Sequence, residues 1–466
     1  MTILHYLFGL PPVHKGGVPS YVLDLVHMQR NLGHCVYLLM PGKMNKGSRE
    51  VDIVPVRRSR EKCFEVVNSS YIANEYGVAE PDGFMRAAPL LKYKRLLEEL
   101  QVQVIHLHSM LGLQKELLLA AKELKIPIIY TSHDYYGLCP KIDLLRQGKP
   151  CMVRDWGSCN ECCRHAYGLD KLRFRQSALY RWYCHMPLLM KAVHSEPAGW
   201  VRKLMYRFPV SGKTSSADSR DEQGSKVQGF LKLQQYYQEI FDLIDYYHFN
   251  SLQSKEIYET HLGTLPGEVL SITKAGITDS REKLLPASKL RIGYLGTSDL
   301  KKGYPYLLKQ LDMLYAGGRT NFQLNTYLVD ETEKRPYQKN HVPFSGGQQE
   351  KVYRSMDLLV VPSVWKETFG LVVLEALSYG VPVLLSEHVG AKQLLYEHRG
   401  TGGVFSLENN GLLKVLKEIY DDRSILAGMS EAICSSDINF DFKRHVLDVL
   451  GIYAKCFRCY GNGAYQ

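Results

Sequence analysis

The sequence predicts an α/β protein made of two doubly wound halves, each a largely parallel sheet covered by helices. Three observations carry this. Apolar runs of strand length alternate with stretches of helical period over roughly the first 134 residues, and again from about residue 245 onward. Such alternation needs crossover helices and therefore parallel strands. A chain of 466 residues also exceeds what one core organises, so two or three domains are expected.

The elements follow in order. Residues 3–10 read as a strand, His14-Lys15-Gly16-Gly17 as a glycine loop, 18–33 as a helix and 35–40 as a second strand. Gly16 and Gly17 stand where a strand hands over to a helix, a place where backbone can approach a diphosphate with no Cβ in the way; a plain turn pair fits the local sequence equally well. A strand over 102–109, a helix over 113–125 and a strand over 127–134 come next. His106 and His108 share one face of the first of these strands. Thr131-Ser132-His133-Asp134 ends the second at its carboxyl edge, where open α/β sheets take ligands. The pattern resumes with 246–251, a helix, 268–277, and a fresh series opening at Leu290. Residues 356–362 form a buried strand. Leu371, Leu374, Ala376 and Leu377 then give a helical apolar face, Gly380 stops it, and 381–385 returns as a strand. Residues 440–460 read as closing helices.

Composition narrows the class. Hydrophobic residues at 45% and charged residues at 23% are those of a globular protein able to bury a core. No run of eighteen uncharged apolar residues occurs, and MTILHYLFGLPP lacks a basic n-region and a small-residue cleavage site, so a cytoplasmic location is expected. Eleven cysteines, five of them between Cys139 and Cys163, then favour a metal site or reduced thiols over disulfides. Cys159-x2-Cys162 has zinc spacing; Cys139, Cys151, Cys159 and Cys162 are the candidate structural zinc ligands, with free buried thiols as the alternative. Cys456-x2-Cys459 has no partner pair nearby.

The net charge of +10 thickens between Arg164 and Arg207, where Lys and Arg alternate with Trp, Tyr, Phe and Leu. Residues near Leu172 to Phe208 suit either an anionic membrane surface, with the protein peripheral on its inner face, or a solvated helix pair. No nucleic-acid recognition motif accompanies this charge, so nucleic acid is not expected as a partner. Residues 211–225 are polar and read as a mobile loop. Their Gly212-Lys213-Thr214 is not a phosphate loop, since the glycine required five positions earlier is Arg207.

Glu367 and Glu375 stand eight residues apart across a helix start, after a strand whose carboxyl end faces the ligand side of such a sheet. Around them are Pro362, Ser363, Phe369, Gly370, Ala376, Gly380, Pro382, Val383 and Ser386. This segment resembles the signature of retaining glycosyltransferases of the GT-B fold, specifically glycosyltransferase family 4. Gly16-Gly17 followed by a helix ending in Leu32-Gly33-His34 is similar to the family's first loop. The resemblance covers most of the chain and leaves 164–241 largely outside it.

The resemblance implies two facing Rossmann-like domains with a cleft between them. Residues 1–277 would be the acceptor domain, with a Cys-rich and basic insertion over about 139–240. Residues 278–438 would be the nucleotide-sugar domain, and 439–466 closing helices that cross back. It implies transfer of a hexose-type residue from a UDP- or GDP-sugar with retention at the anomeric carbon. Glu367 would hold the donor sugar, Glu375 the ribose, and Lys302 with the Gly16 and Gly17 amides the diphosphate. His133 matches the family His that hydrogen-bonds the donor sugar, with His106 and His108 supporting it. Gly296, Thr297, Phe369, Gly370 and Leu371 complete the donor site. No metal is required for this chemistry, because no D-x-D pattern precedes a suitable strand end.

Two departures qualify the match. Thr297 replaces the Arg of the family's G-R-x4-K-G loop, with Lys301 or Lys274 as substitute cations, and 327–331 lacks the usual glycine-rich turn. They leave open a non-catalytic sugar-binding partner subunit as the alternative. An epimerase or phosphorylase on the same fold is a further reading. Bacterial members with the pattern His133-Asp134-Tyr135, three residues, Cys139-Pro140 are linked to capsule and exopolysaccharide assembly, which implies a lipid-linked glycan acceptor.

Overall fold

The computed structural model describes residues 1–45, 47–56, 61–152, 155–186, 220–285, 287–329, 335–343 and 347–461. Two parallel sheets form its halves, as the alternation requires. The first has eight strands in the order Gly267–Val269, Tyr246–Phe249, Ile128–Thr131, Val104–Leu107, Thr2–Tyr6, Cys35–Pro41, Cys63–Val67 and Asp52–Pro55. Only the last pair is antiparallel. The second has six, all parallel, in the order Gln338–Asn340, Phe322–Thr326, Leu290–Tyr294, Leu358–Val361, Val383–Ser386 and Gly402–Phe405. The central strands of both are buried on both faces, as their Val, Ile and Leu runs demand.

Together the halves make the GT-B architecture of two Rossmann-like domains. Their contact is intimate: one apolar cluster joins Leu25 and Val26 of the first half with Val373, Leu374 and Leu377 of the second. The chain's end reinforces it. The closing stretch is a single helix, Phe442–Gly461, whose Val446, Val449, Ile452 and Tyr453 are buried against the helix Gly17–Asn31.

The polar stretch read as a loop over 211–225 differs in its last part. The helix Arg220–Asp242 already includes 220–225, and the rest of the stretch lies outside the described residues. Phe230, Leu233, Tyr237, Ile240 and Phe241 recur at helical spacing and are buried, and a helix nucleated by that packing extends cheaply through Arg, Asp, Glu and Gln. Of the proposed membrane segment, everything beyond residue 186 likewise lies outside the described residues. Among the described residues no helix is long and apolar enough to cross a membrane.

Candidate active site

The sheets face each other across a cleft whose cavity of about 480 Å³ is walled by both halves. Most of the residues singled out from the sequence meet there: Gly17 and His133 from the first half; Gly296, Thr297, Lys302, Glu367, Phe369, Gly370 and Leu371 from the second. Gly16 and Glu375 are not among its walls.

Two helix starts aim at this space. Gly17 opens the helix Gly17–Asn31, and Gly370, at φ +106°, caps the helix Leu371–Ser378; Leu371 Cδ1 lies 4.0 Å from where a Cβ on Gly17 would sit. Free backbone N–H groups at both ends make an anion seat. Gly303 sets the depth of the lysine loop. A Cβ there would lie 1.7 Å from the Pro362 carbonyl oxygen, so only glycine lets the 296–303 turn press onto the Glu367 loop.

Glu367 and Lys302 form a unit. Lys302 Nζ donates to Glu367 Oε1 at 2.6 Å, and Ser363 Oγ donates to Oε2 at 2.5 Å. Ser386 Oγ in turn donates to the Ser363 carbonyl at 2.6 Å, which gives the Ser at the end of the motif a part in holding the site. Burial opposes ionisation of Glu367, but the Lys302 charge and these two hydrogen bonds outweigh it and hold the carboxyl below its usual range. Lys302 also sits over the Trp365 ring, 5.4 Å from its centroid. The motif loop is tied to the first half directly: Thr368 Oγ1 donates to the His133 carbonyl at 3.0 Å, and Ser251 Oγ donates to the Thr368 carbonyl at 2.6 Å.

Glu375 is buried one helical turn deeper, where it pairs with Lys274 and accepts from the Tyr353 hydroxyl. Lys301 reaches across to Glu75 at 3.2 Å. Both candidate substitute cations are thus paired with carboxylates other than Glu367. Thr297 Oγ1 donates to Asp299 Oδ2 at 2.7 Å, and the Thr297 carbonyl accepts from Tyr294.

His133 is buried and its pKa is lowered to about 3, by burial first and then by His248 and His445, so the ring is neutral at the cavity wall. His106 and His108 lie behind it in the core, not in the cavity.

Reasoning from sequence missed Asn250. It is buried at the carboxyl end of the strand Tyr246–Phe249, lines the cavity, and neither its Oδ1 nor its Nδ2 has a protein partner. A buried amide without partners carries a desolvation penalty that a polar ligand would relieve. Its place at a strand's carboxyl end was the available signal. Tyr21 and Trp365 are further walls that no motif marked.

Cys139, Cys151, Cys159 and Cys162 share a neighbourhood but stand as free thiols, and burial pushes Cys139 up to about 12 and Cys159 higher still. Among the described residues the three ligand atoms that approach within 4.8 Å of one another belong to His5, His106 and His108, not to these thiols.

The family model described as Glycosyl transferases group 1 matches residues 277–432, and that described as Glycosyltransferase Family 4 matches residues 15–185. The two matches fall one on each half of the chain, so each half is similar to a glycosyltransferase domain. An uncharacterized 41.2 kDa protein in the cps region of Klebsiella pneumoniae is 27% identical over 189 residues, 40% of this chain and 50% of that protein. A D-inositol 3-phosphate glycosyltransferase of Arthrobacter sp. (strain FB24) is 26% identical over 205 residues, 40% of this chain and 48% of its own. The match thus spans about half the length of these curated relatives.

Among solved structures, a glycosyltransferase from Rickettsia africae aligns with a TM-score of 0.56 at 12% identity, over 98% of each chain. Anabaena HepE in complex with UDP and glucose gives 0.54 at 12%, over 97% of this chain and 99% of that one. At such identities the likeness is one of fold.

Proposed function

We propose that this chain is a group 1 glycosyltransferase that moves a sugar from a UDP- or GDP-sugar to a surface-polysaccharide or lipid-linked glycan precursor, with retention at the anomeric carbon. The Lys302–Glu367 pair carries the reading, because it fixes a cation and a carboxylate at the mouth of two helix N-termini in one cleft. Residues 278–438 would bind the nucleotide sugar and residues 1–277 the acceptor.

In this reading the bond between C1 and the diphosphate oxygen breaks while the acceptor hydroxyl attacks the same face. Its proton passes to the departing diphosphate. Lys302 and the amides at Gly17 and Leu371 offset the charge that develops on that leaving group. Glu367, held ionised by Lys302, is not a free base; it orients the cation and accepts from donor hydroxyls. Asn250 and His133 take further hydroxyls from the opposite wall. Glu375, joined to Lys274, would meet the ribose only after that pair loosens. With His133 neutral and Glu367 engaged, no side chain among the described cavity residues is poised as a nucleophile, which favours same-face displacement over a covalent intermediate.

The cps-region relative supports a surface-polysaccharide acceptor. The described part of the basic segment supports peripheral membrane contact: Leu179 and Trp182 are 63% and 53% exposed beside Arg175 and Arg181. Purified protein should melt higher with one nucleotide sugar than with free sugar, and should turn that donor over with a glycan-lipid acceptor. No shift and no turnover with any UDP- or GDP-sugar would refute the reading. Equal sedimentation with anionic and neutral vesicles would remove the membrane contact alone.

A further inference from the structure

Behind the cavity wall lie four more buried histidines, His5, His106, His108 and His248, linked to His133 by hydrogen bonds. Burial lowers the pKa of each, so all five rings are neutral, with one N–H and one bare nitrogen apiece. In such a chain each bond's direction dictates the next. It starts at the Leu270 carbonyl, which can only accept.

His248 Nε2 donates to that carbonyl at 2.8 Å, which leaves Nδ1 bare. Thr131 Oγ1, 3.0 Å from this Nδ1, must donate its proton there, and so accepts from His106 Nε2 at 2.6 Å. His106 Nδ1 is then bare and takes the Tyr453 hydroxyl proton at 2.7 Å. The Tyr453 oxygen accepts from Gln29 Nε2 at 3.2 Å, which turns Gln29 Oε1 toward His5 Nε2 at 2.7 Å. His5 Nδ1, now bare, takes the Nε2 proton of His108 at 2.9 Å. His108 Nδ1 takes the Nε2 proton of His133 at 3.2 Å. The chain ends there, and the ring nitrogen it leaves to His133 at the cavity is an unprotonated Nδ1.

We propose that this hydrogen-bonded chain locks His133 as its Nε2–H tautomer, so that Nδ1 accepts a hydrogen bond from a substrate hydroxyl and discriminates against a carbonyl or phosphate oxygen at that point. Gln29, Tyr453, His106, His5 and His108 are positioning residues that act through it. The substrate half rests on the glycosyltransferase reading; the tautomer does not. The chain also uses the nitrogens of His5, His106 and His108 that would otherwise converge on a metal. Tyr453 comes from the closing helix, so the last segment of the chain completes a site built by the first.

The test is the 15N spectrum of the histidine rings in the free protein, with His133 assigned from the signals lost in His133→Asn. Wild type should show protonated Nε2 and bare Nδ1. Tyr453→Phe frees the Gln29 amide to turn and should give His133 both tautomers, with kcat/KM reduced about twofold if they are equally populated. Tyr93→Phe removes an equally buried hydroxyl that bonds Gln114 elsewhere, and should leave His133 unchanged. A wild-type His133 protonated at Nδ1, or a Tyr453→Phe spectrum like that of wild type, overturns the chain. Should Tyr453→Phe fail to fold, Thr131→Val cuts the same chain at constant shape and is judged by the same two outcomes. Turnover with the wrong tautomer sinks this inference and spares the transferase. The expected tautomer without turnover does the reverse.

Discussion

The two walls of the cleft are built from opposite chemistry. The second half presents charge: Lys302 and Glu367 joined at 2.6 Å, held by Ser363 and Ser386 and a glycine-tight loop. The first half presents neutrality: the His133 imidazole with four more buried behind it, the Asn250 amide and Tyr21, with no ion pair among the groups that reach the cavity wall from it in the described residues. A diphosphate demands cations and helix N-termini, whereas sugar hydroxyls are read by directional neutral donors and acceptors that need not be paid for in ion desolvation. The division teaches which wall should govern leaving-group departure and which should govern orientation.

The strongest way to break that comparison is to cut the charged unit. Lys302→Ala or Glu367→Ala should each lower kcat by about 10² to 10³, the scale for losing one preorganised charge at a developing anion. The double variant should cost little more than either alone, because each removes the other's partner. Additive losses would show two independent roles and dissolve the unit.

The neutral wall makes a different prediction, about acid. His5 and His248 have pKa values lowered to about 4, His133 and His445 to about 3, burial being the leading cause throughout. In the unfolded chain these groups titrate near 6.5. Between about pH 6.5 and 4 the unfolded chain therefore binds protons that the folded one refuses, and stability falls as pH drops through that window. Asp134 opposes this, since burial raises it to about 6 and the folded form keeps a proton the unfolded form releases; Asp24 and Asp143, also raised by burial, act in the same direction. Each histidine contributes about 1.4 kcal/mol per pH unit within its range, so the balance is a steep loss. A urea midpoint equal at pH 7 and pH 5 would show that the imidazoles are not buried as neutral groups.

How much of this was legible in the sequence follows the same line. The residues proposed to meet the diphosphate are local: Glu367, Phe369, Gly370 and the loop 296–303 are short, contiguous and tied to a strand end, so their meeting at one cavity could be read almost residue by residue. The halves themselves were legible because strand and helix periods differ. The hydrogen-bonded chain was not, since Gln29, His106, Thr131, His248 and Tyr453 come from five separate segments and meet only through sheet order and the returning last helix. The spacing of His106 and His108 puts them on one face of a strand but carries no sign of the bonds they make. The cysteines show the same limit: spacing brings Cys139, Cys151, Cys159 and Cys162 near one another, but ligand geometry depends on the packing of the insertion.

Asn250 sharpens the comparison at an intermediate scale. Its amide has no protein partner, so Asn250→Ala removes one or two hydroxyl contacts and should cut kcat/KM by roughly tenfold, with little change in melting temperature. Asn250→Asp should fare worse than Ala, because a buried carboxylate on the neutral wall has no cation to meet. Equal activity in wild type and Asn250→Ala would place the sugar elsewhere in the cavity.

The smallest effect is expected at Lys301, the immediate neighbour of Lys302. Its ammonium crosses the cleft to Glu75, 3.2 Å away, in a pair whose acidic partner is 54% exposed. Such pairs contribute about 0 to 1 kcal/mol, and this one stands away from the Glu367 carboxylate. Lys301→Ala should therefore change kcat less than about twofold and leave the melting temperature nearly unmoved. The residue matters because Thr297 occupies the place of a second cation, and sequence alone offered Lys301 as its replacement. If Lys301→Ala instead lost activity on the scale of Lys302→Ala, the lysine would have to leave Glu75 and turn to the diphosphate when donor binds. The charged wall would then consist of two cations assembled by closure of the cleft, not one fixed in advance.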